Sequence, residues 1–191
     1  MNSFPDRAKS DSPQCDNLPQ RKILGIGLSR TGTTSLHLAM GMLGYRSIHC
    51  PRLDRLGEIL EHYQAAVDTP IACSFRELDL CYPDSLFILT IRDIRSWLES
   101  TEWLFTGPPP KSPWKRQLRL KTFGVLTWDR RRFLNAYHRH VEAVLDHFEG
   151  RPESLLVLDI TAGEGWERLC PFLQTPQPPL PFPHENARLV R

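Results

Sequence analysis

Between Gly27 and Gly32 the chain reads G-L-S-R-T-G, and Thr33, Thr34 and Ser35 follow at once. Two glycines five apart, ahead of hydroxyl residues, have the spacing of a phosphate loop, G-x-x-x-x-G-K-[ST]. The backbone N–H groups of such a loop, with the N-terminus of the next helix, cradle an anion. Thr33 stands where an ATP-binding loop carries lysine, and Thr34 holds the hydroxyl position. The chain keeps the cradle without the lysine that reaches β/γ-phosphates, which points to a nucleotide with a different terminal group. A second pair is Arg92 and Ser100, eight residues apart in I-R-D-I-R-S-W-L-E-S. Both can face one anionic group only if the start of a helix curls over it. The alternative is a surface Arg92–Asp93 pair with Asp93 as a helix cap and Ser100 incidental. A third feature is Asp68 in A-A-V-D-T-P, which can enter the same site or form an Asx-turn with Thr69-Pro70.

These residues need a scaffold, and the pattern predicts one. Ile23–Leu28 reads as a buried first strand, and Thr33–Leu43 as a helix with Leu36, Met40 and Leu43 at helical spacing and Gly44 as its stop. Tyr45–His49 reads as a second strand, Leu53–Gln64 as a helix, Ala65–Asp68 as a short strand end and Phe75–Leu80 as one or two helical turns. Leu86–Ile91 is the near-continuous apolar run that a strand covered on both faces requires. Asp93 caps a predicted helix through about Trp103, and Gly107–Lys115 is a proline-rich break. A long helix from about Asp129 to Phe148, a strand at Leu155–Leu158 and a helix at Gly163–Leu173 complete the series. This order predicts an α/β fold: three layers, a mainly parallel central sheet, helices on both faces and right-handed crossovers. Ligands of such sheets collect at the carboxyl ends of the strands, so Ser29–Thr34, Arg92 with Ser100, and Asp68 should converge there.

Composition bounds the rest. The chain has 191 residues, a net charge of +2 and five scattered cysteines without a C-x-x-C pair. That length suits one domain over residues 21–191, and residues 1–20, polar and proline-bearing, read as a loose tail. The weak charge gives no reason to expect nucleic acid, and no window has the length of a membrane span. The cysteines read as reduced thiols of a cytoplasmic protein rather than a disulfide frame or zinc site. The oligomeric state is not legible.

Taken together, L-S-R-T-G-T-T-S-L and L-T-I-R-D-I-R-S-W-L-E-S resemble the P-loop sulfotransferase superfamily, whose donor is 3′-phosphoadenosine 5′-phosphosulfate (PAPS). The chain is similar to a mostly bacterial branch with G-x-x-R-T-G-T-T-S, Y-P-D-x-x-F-I-L-T-x-R-D and P-F-P-H-x-N motifs. Here the last two are Tyr82–Asp93 and Pro181–Asn186. The resemblance covers most of the chain from Lys22 to Arg188, with the motifs in order.

The resemblance implies a role for each matching residue. Ser29, Arg30, Thr31, Gly32, Thr33, Thr34 and Ser35 would hold the 5′-phosphosulfate, through the backbone from Thr31 to Thr34 and the hydroxyls of Thr33, Thr34 and Ser35. Arg92 and Ser100 would hold the 3′-phosphate, a guanidinium fork and a hydroxyl meeting one dianion. Arg30 departs from the lysine of many relatives. Arginine cannot donate a proton at neutral pH, so Arg30 would clamp the bridging oxygen electrostatically as the sulfuryl group leaves. The catalytic pair implied is Arg30 and Asp68, with Asp68 as the base that accepts the acceptor's proton. His49 ends strand two and could reach the same rim, although a structural role weighs more for a strand-end histidine. The role of His184 in P-F-P-H is open between closing over a ligand and anchoring the tail. His138 and His140 on the long helix could face the acceptor. The acceptor would be a small molecule or glycan bearing a hydroxyl or amine, and no metal is expected. Trp97 is expected to pack beneath the nucleotide loop, and the Arg130–Arg132 run to be solvated. Three alternatives compete. A small-molecule kinase needs the missing lysine, a dinucleotide-binding domain needs an acid at the end of strand two, and a nonenzymatic PAPS-binding module needs no base.

Overall fold

A computed structural model describes residues 21–185. Its centre is a five-stranded sheet of β1 (Ile23–Gly25), β2 (Ser47–His49), β3 (Ala65–Val67), β4 (Leu86–Thr90) and β5 (Leu155–Leu158). The strand order is β2-β3-β1-β4-β5 and every pair is parallel. The expected parallel α/β architecture is therefore present. Alternate strand residues go to opposite faces, as the pleat requires. Ile23, Val67, Ile88 and Leu158 pack on one face with α1 (Thr33–Met42) and α8 (Trp166–Leu173). Leu24, Ala66, Phe87 and Leu89 pack on the other with α2 (Leu56–His62), α4 (Phe75–Cys81) and α7 (Arg130–His147). A third apolar cluster joins α7 to α5 (Ile94–Phe105) and α6 (Pro113–Phe123), with the Phe123 and Phe133 rings stacked 4.0 Å apart.

Two elements differ from expectation. The helix α6 begins at Pro113, inside the stretch expected to be a proline-rich break. Proline suits the first helical turn because its missing N–H has no intrahelical partner there. The four-residue helix α3 (Thr69–Ala72) follows Asp68 directly, where a turn was expected. The predicted cap at Asp93 holds, its side chain accepting from the backbone N–H of Ser96 to start α5, and Asp129 caps α7 in the same way through the N–H of Arg132.

The strap from Thr175 to Glu185 returns to the sheet. Trp166 donates its indole N–H to the Leu180 carbonyl at 2.8 Å, and Phe182 packs edge-on against Trp166. Gly165 makes this possible, because a Cβ there would stand 3.0 Å from the Phe182 ring. Among the described cysteines Cys50, Cys73 and Cys170 are free thiols, as expected, whereas Cys81 is disulfide-bonded and departs from that expectation. The expected tail at residues 1–20 and Asn186 of the last motif lie outside the described residues. No described helix is long and apolar enough to cross a membrane.

Candidate active site

The strand order creates the site. The chain leaves β1 between β3 on one side and β4 on the other, so a crevice opens above their carboxyl ends. The loop after β1 crosses this crevice by means of two left-handed residues, Arg30 (φ 77°) and Gly32 (φ 96°). Gly32 precedes α1, whose first turn has neither a side-chain cap nor an acidic residue. Its leading N–H groups and the positive end of its dipole thus face the crevice.

A cleft of about 410 Å³ lies here. Ser29, Arg30, Gly32, Thr33, Thr34 and Ser35 line it, together with Asp68, Arg92 and Ser100. The three sequence features expected to converge do so. Of the loop residues from Ser29 to Ser35, Thr31 alone turns away. It is fully buried, and its hydroxyl bonds the Leu28 carbonyl at 2.7 Å and the Thr90 hydroxyl at 2.6 Å, stitching the loop to β4.

Arg30 and Arg92 supply the positive charge of the cleft. Arg30 donates from Nε to Ser100 Oγ at 2.8 Å, and its guanidinium lies 5.9 Å from the exposed Trp103 ring. Arg92 donates from Nε to Ser96 Oγ at 2.9 Å and from Nη1 to the Arg30 carbonyl at 3.2 Å. The two arginines are therefore tied to each other's segment, and Asp93 is left to cap α5. Tyr137 on α7 braces Arg92 by accepting from its N–H and donating to its carbonyl. Trp97 is fully buried beneath the loop, as expected, and donates its indole N–H to the Ser29 carbonyl at 3.0 Å. His140 lies against the Ile26 carbonyl at 2.7 Å, and burial pushes its imidazole below the usual histidine range despite that contact. His138, by contrast, is exposed.

Asp68 sits on the opposite wall with φ 92°. It forms no side-chain cap on α3; its Oδ1 instead accepts from the hydroxyls of Ser29 at 2.8 Å and Thr33 at 3.3 Å. Beside it, burial and the Asp68 carboxylate push the Cys50 thiol up to about 12, so Cys50 stays protonated. His49 also lines the cleft, with Nε2 3.1 Å from Thr33 Oγ1 and 3.4 Å from Thr34 Oγ1.

Several lining residues were not candidates from sequence: Ser96, Glu99, Ile160, Thr161 and Glu185. Ser96 had a usable signal, since it lies four residues after Arg92, in the first turn of the helix that Asp93 caps. His184 and Glu185 arrive with the strap, where the Glu185 N–H donates to Ser35 Oγ at 2.9 Å. Among the described residues no group of three or more His, Cys, Asp or Glu side chains is arranged to hold a metal ion.

Comparison with known proteins gives this geometry a context. The model of the family described as the sulfotransferase domain matches residues 22–55 and 50–189, which is most of the chain. The chain belongs to the sulfotransferase domain family. This sulfotransferase domain is also similar to the Ava biosynthesis cluster protein M of Aspergillus versicolor. The two are 28% identical over 212 residues, covering 85% of this chain and 80% of the relative.

Proposed function

We propose that this sulfotransferase domain moves a sulfuryl group from PAPS to a hydroxyl or amine of a small-molecule or glycan acceptor. The observation that carries the reading is the pair of guanidinium groups, Arg30 and Arg92, on one cleft whose floor is an uncapped helix N-terminus. A donor with an anionic group at each end needs two such sockets. The residues fit it: α1's leading N–H groups with Thr33, Thr34 and Arg30 suit the phosphosulfate, while Arg92 and Ser100 suit the 3′-phosphate. The ordered motifs of the sequence favour the same assignment, within the branch carrying P-F-P-H.

When bound, PAPS supplies an activated S–O bond with adenosine 3′,5′-bisphosphate (PAP) as leaving group. The chain's own part is to hold, orient and neutralise. Loop amides and hydroxyls fix the phosphosulfate in line with an incoming acceptor. Arg30 stabilises charge on the departing oxygen from a preorganised position, because Ser100 and the Arg92 contact already hold its segment. The acceptor's proton leaves on the β2–β3 side, where Asp68, the base implied by sequence, is located.

Calorimetry with PAP tests the reading. Arg92→Ala should weaken binding by about 1.5–3 kcal/mol, the contribution of a charged hydrogen bond. Arg30→Ala should lower turnover by about 10²–10³ and affect PAP affinity less. Equal affinity for adenosine 5′-phosphate and PAP would overturn the assignment of Arg92 and Ser100.

A further inference from the structure

The ends of β2 and β3 bring an imidazole and a carboxylate to the same edge of the cleft. Parallel pairing sets His49 beside Val67, so that His49 and Asp68 emerge from adjacent strands at the same edge of the cleft. The Asp68 side chain is only 5% exposed, against 29% for His49. Asp68 Oδ1 is occupied by the Ser29 and Thr33 hydroxyls, and Oδ2 faces His49 Nε2 at 3.7 Å. An acceptor entering the cleft therefore meets the imidazole before the carboxylate. The same Nε2 points at Thr33 and Thr34, the two hydroxyls assigned above to the phosphosulfate.

We propose that His49 Nε2 is the atom that takes the acceptor's proton, and that Asp68 is a positioning residue that holds the resulting imidazolium. The proposal rests on the sulfotransferase reading and revises the expectation that Asp68 is itself the base. In the step, the acceptor O–H bond breaks and its proton passes to Nε2 as the oxygen forms a bond to sulfur. The bond from sulfur to the bridging oxygen breaks, its electron pair stays on PAP, and Arg30 stabilises that charge. The charge on His49 is then compensated by the Asp68 carboxylate, whose Oδ2 stands 3.7 Å from the same nitrogen.

The other groups around the ring support this assignment. His37 packs 5.9 Å away and bonds Ser47 Oγ, while burial and His49 itself depress its basicity, so it adds no fixed charge. Cys50 stays a thiol and does not compete. Thr33 Oγ1 stands 3.1 Å from His49 Nε2 and 3.3 Å from Asp68 Oδ1, and its single proton serves one of them at a time; turned to Nε2, it meets the lone pair of the Nδ1–H tautomer, the form that accepts a proton.

The test uses the full chain with water as acceptor, reading sulfate release from PAPS, beside PAP calorimetry. His49→Gln should slow release by about 10²–10⁴ while PAP affinity stays within twofold, and imidazole should restore part of the rate in His49→Ala. Independently of turnover, diethyl pyrocarbonate should label His49 in the free protein and label it more slowly when PAPS is bound. His49→Gln at near wild-type rate, with Asp68→Asn inactive, would overturn the proposal in favour of a carboxylate base. Loss of PAP affinity equal to the loss of rate would make His49 a donor anchor instead. A wild-type protein that binds PAP but never releases sulfate would end both this proposal and the enzymatic reading. Failure to bind PAP would end the donor assignment itself.

Discussion

Gly27 is the position at which the loop's geometry is most exposed to a single methyl group. A Cβ there would overlap the Thr90 hydroxyl and stand 2.7 Å from both the Thr31 hydroxyl and the Thr90 carbonyl oxygen. Gly27→Ala thus introduces two separate faults. It overpacks the crossing of the loop over β4, at about 1–3 kcal/mol, and it parts the Thr31–Thr90 hydrogen bond, at about 0.5–1.5 kcal/mol. For a chain of this size each kcal/mol moves Tm by about 2–4 °C, so the variant should melt about 3–18 °C below wild type. PAP affinity should fall as well, because the shifted loop carries Arg30 and the start of α1. Differential scanning calorimetry gives the first number and isothermal titration the second. Adding Thr90→Ala should restore only part of the loss, since the backbone carbonyl of residue 90 still blocks the methyl. A Gly27→Ala protein melting within 2 °C of wild type would refute the close approach, and complete recovery in the double variant would refute the role of the carbonyl.

Two further outcomes follow from the packing around the site. Burial works to raise the Asp79 carboxyl, but hydrogen bonds from Arg151 and His147 outweigh it and hold it below the usual carboxylate range. Its contribution to stability is therefore complete above the unfolded carboxylate value near 3.9 and is lost as pH falls through the lower folded value. Asp79→Asn should destabilise by about 1–3 kcal/mol in urea titrations at pH 7, and the gap from wild type should narrow below about pH 3.5; a gap constant with pH would refute it. Trp97→Phe removes the donor to the Ser29 carbonyl and leaves space beneath the loop. It should destabilise by about 1–3 kcal/mol in the same assay, and an unchanged midpoint would show that the indole does not support the loop.

How much of this was legible beforehand depended on whether the signal was local. Leu86–Ile91 announced a doubly covered strand because burial on both faces leaves no polar alternation to find, and the structure buries all of β4. The loop and Arg92 with Ser100 were legible because glycine spacing and a strand-end arginine are local marks. The helix α6 was obscured by its composition, in which Lys115, Arg116, Arg119 and Lys121 interrupt the apolar positions; Ser112-Pro113 was the mark of its start. The short helix α3 was too brief to have a period. His49 stayed ambiguous because its closeness to Asp68 arises from the pairing of β2 with β3, a relation between segments that neither segment encodes alone. The cleft face of the strap was hidden for the same reason: Phe182 and Trp166 dock across a turn that depends on Gly165.

Arg30 and Asp68 both occupy backbone regions in which glycine is most at ease, at φ 77° and φ 92°. A directed-evolution library scored on heat resistance alone would be drawn towards glycine at these two places. The survivors would keep the scaffold and lose a guanidinium and a carboxylate from opposite walls. Robust versions of this protein are better sought at remote positions such as the solvent-facing Leu80 on α4, where polarity can change without touching either wall.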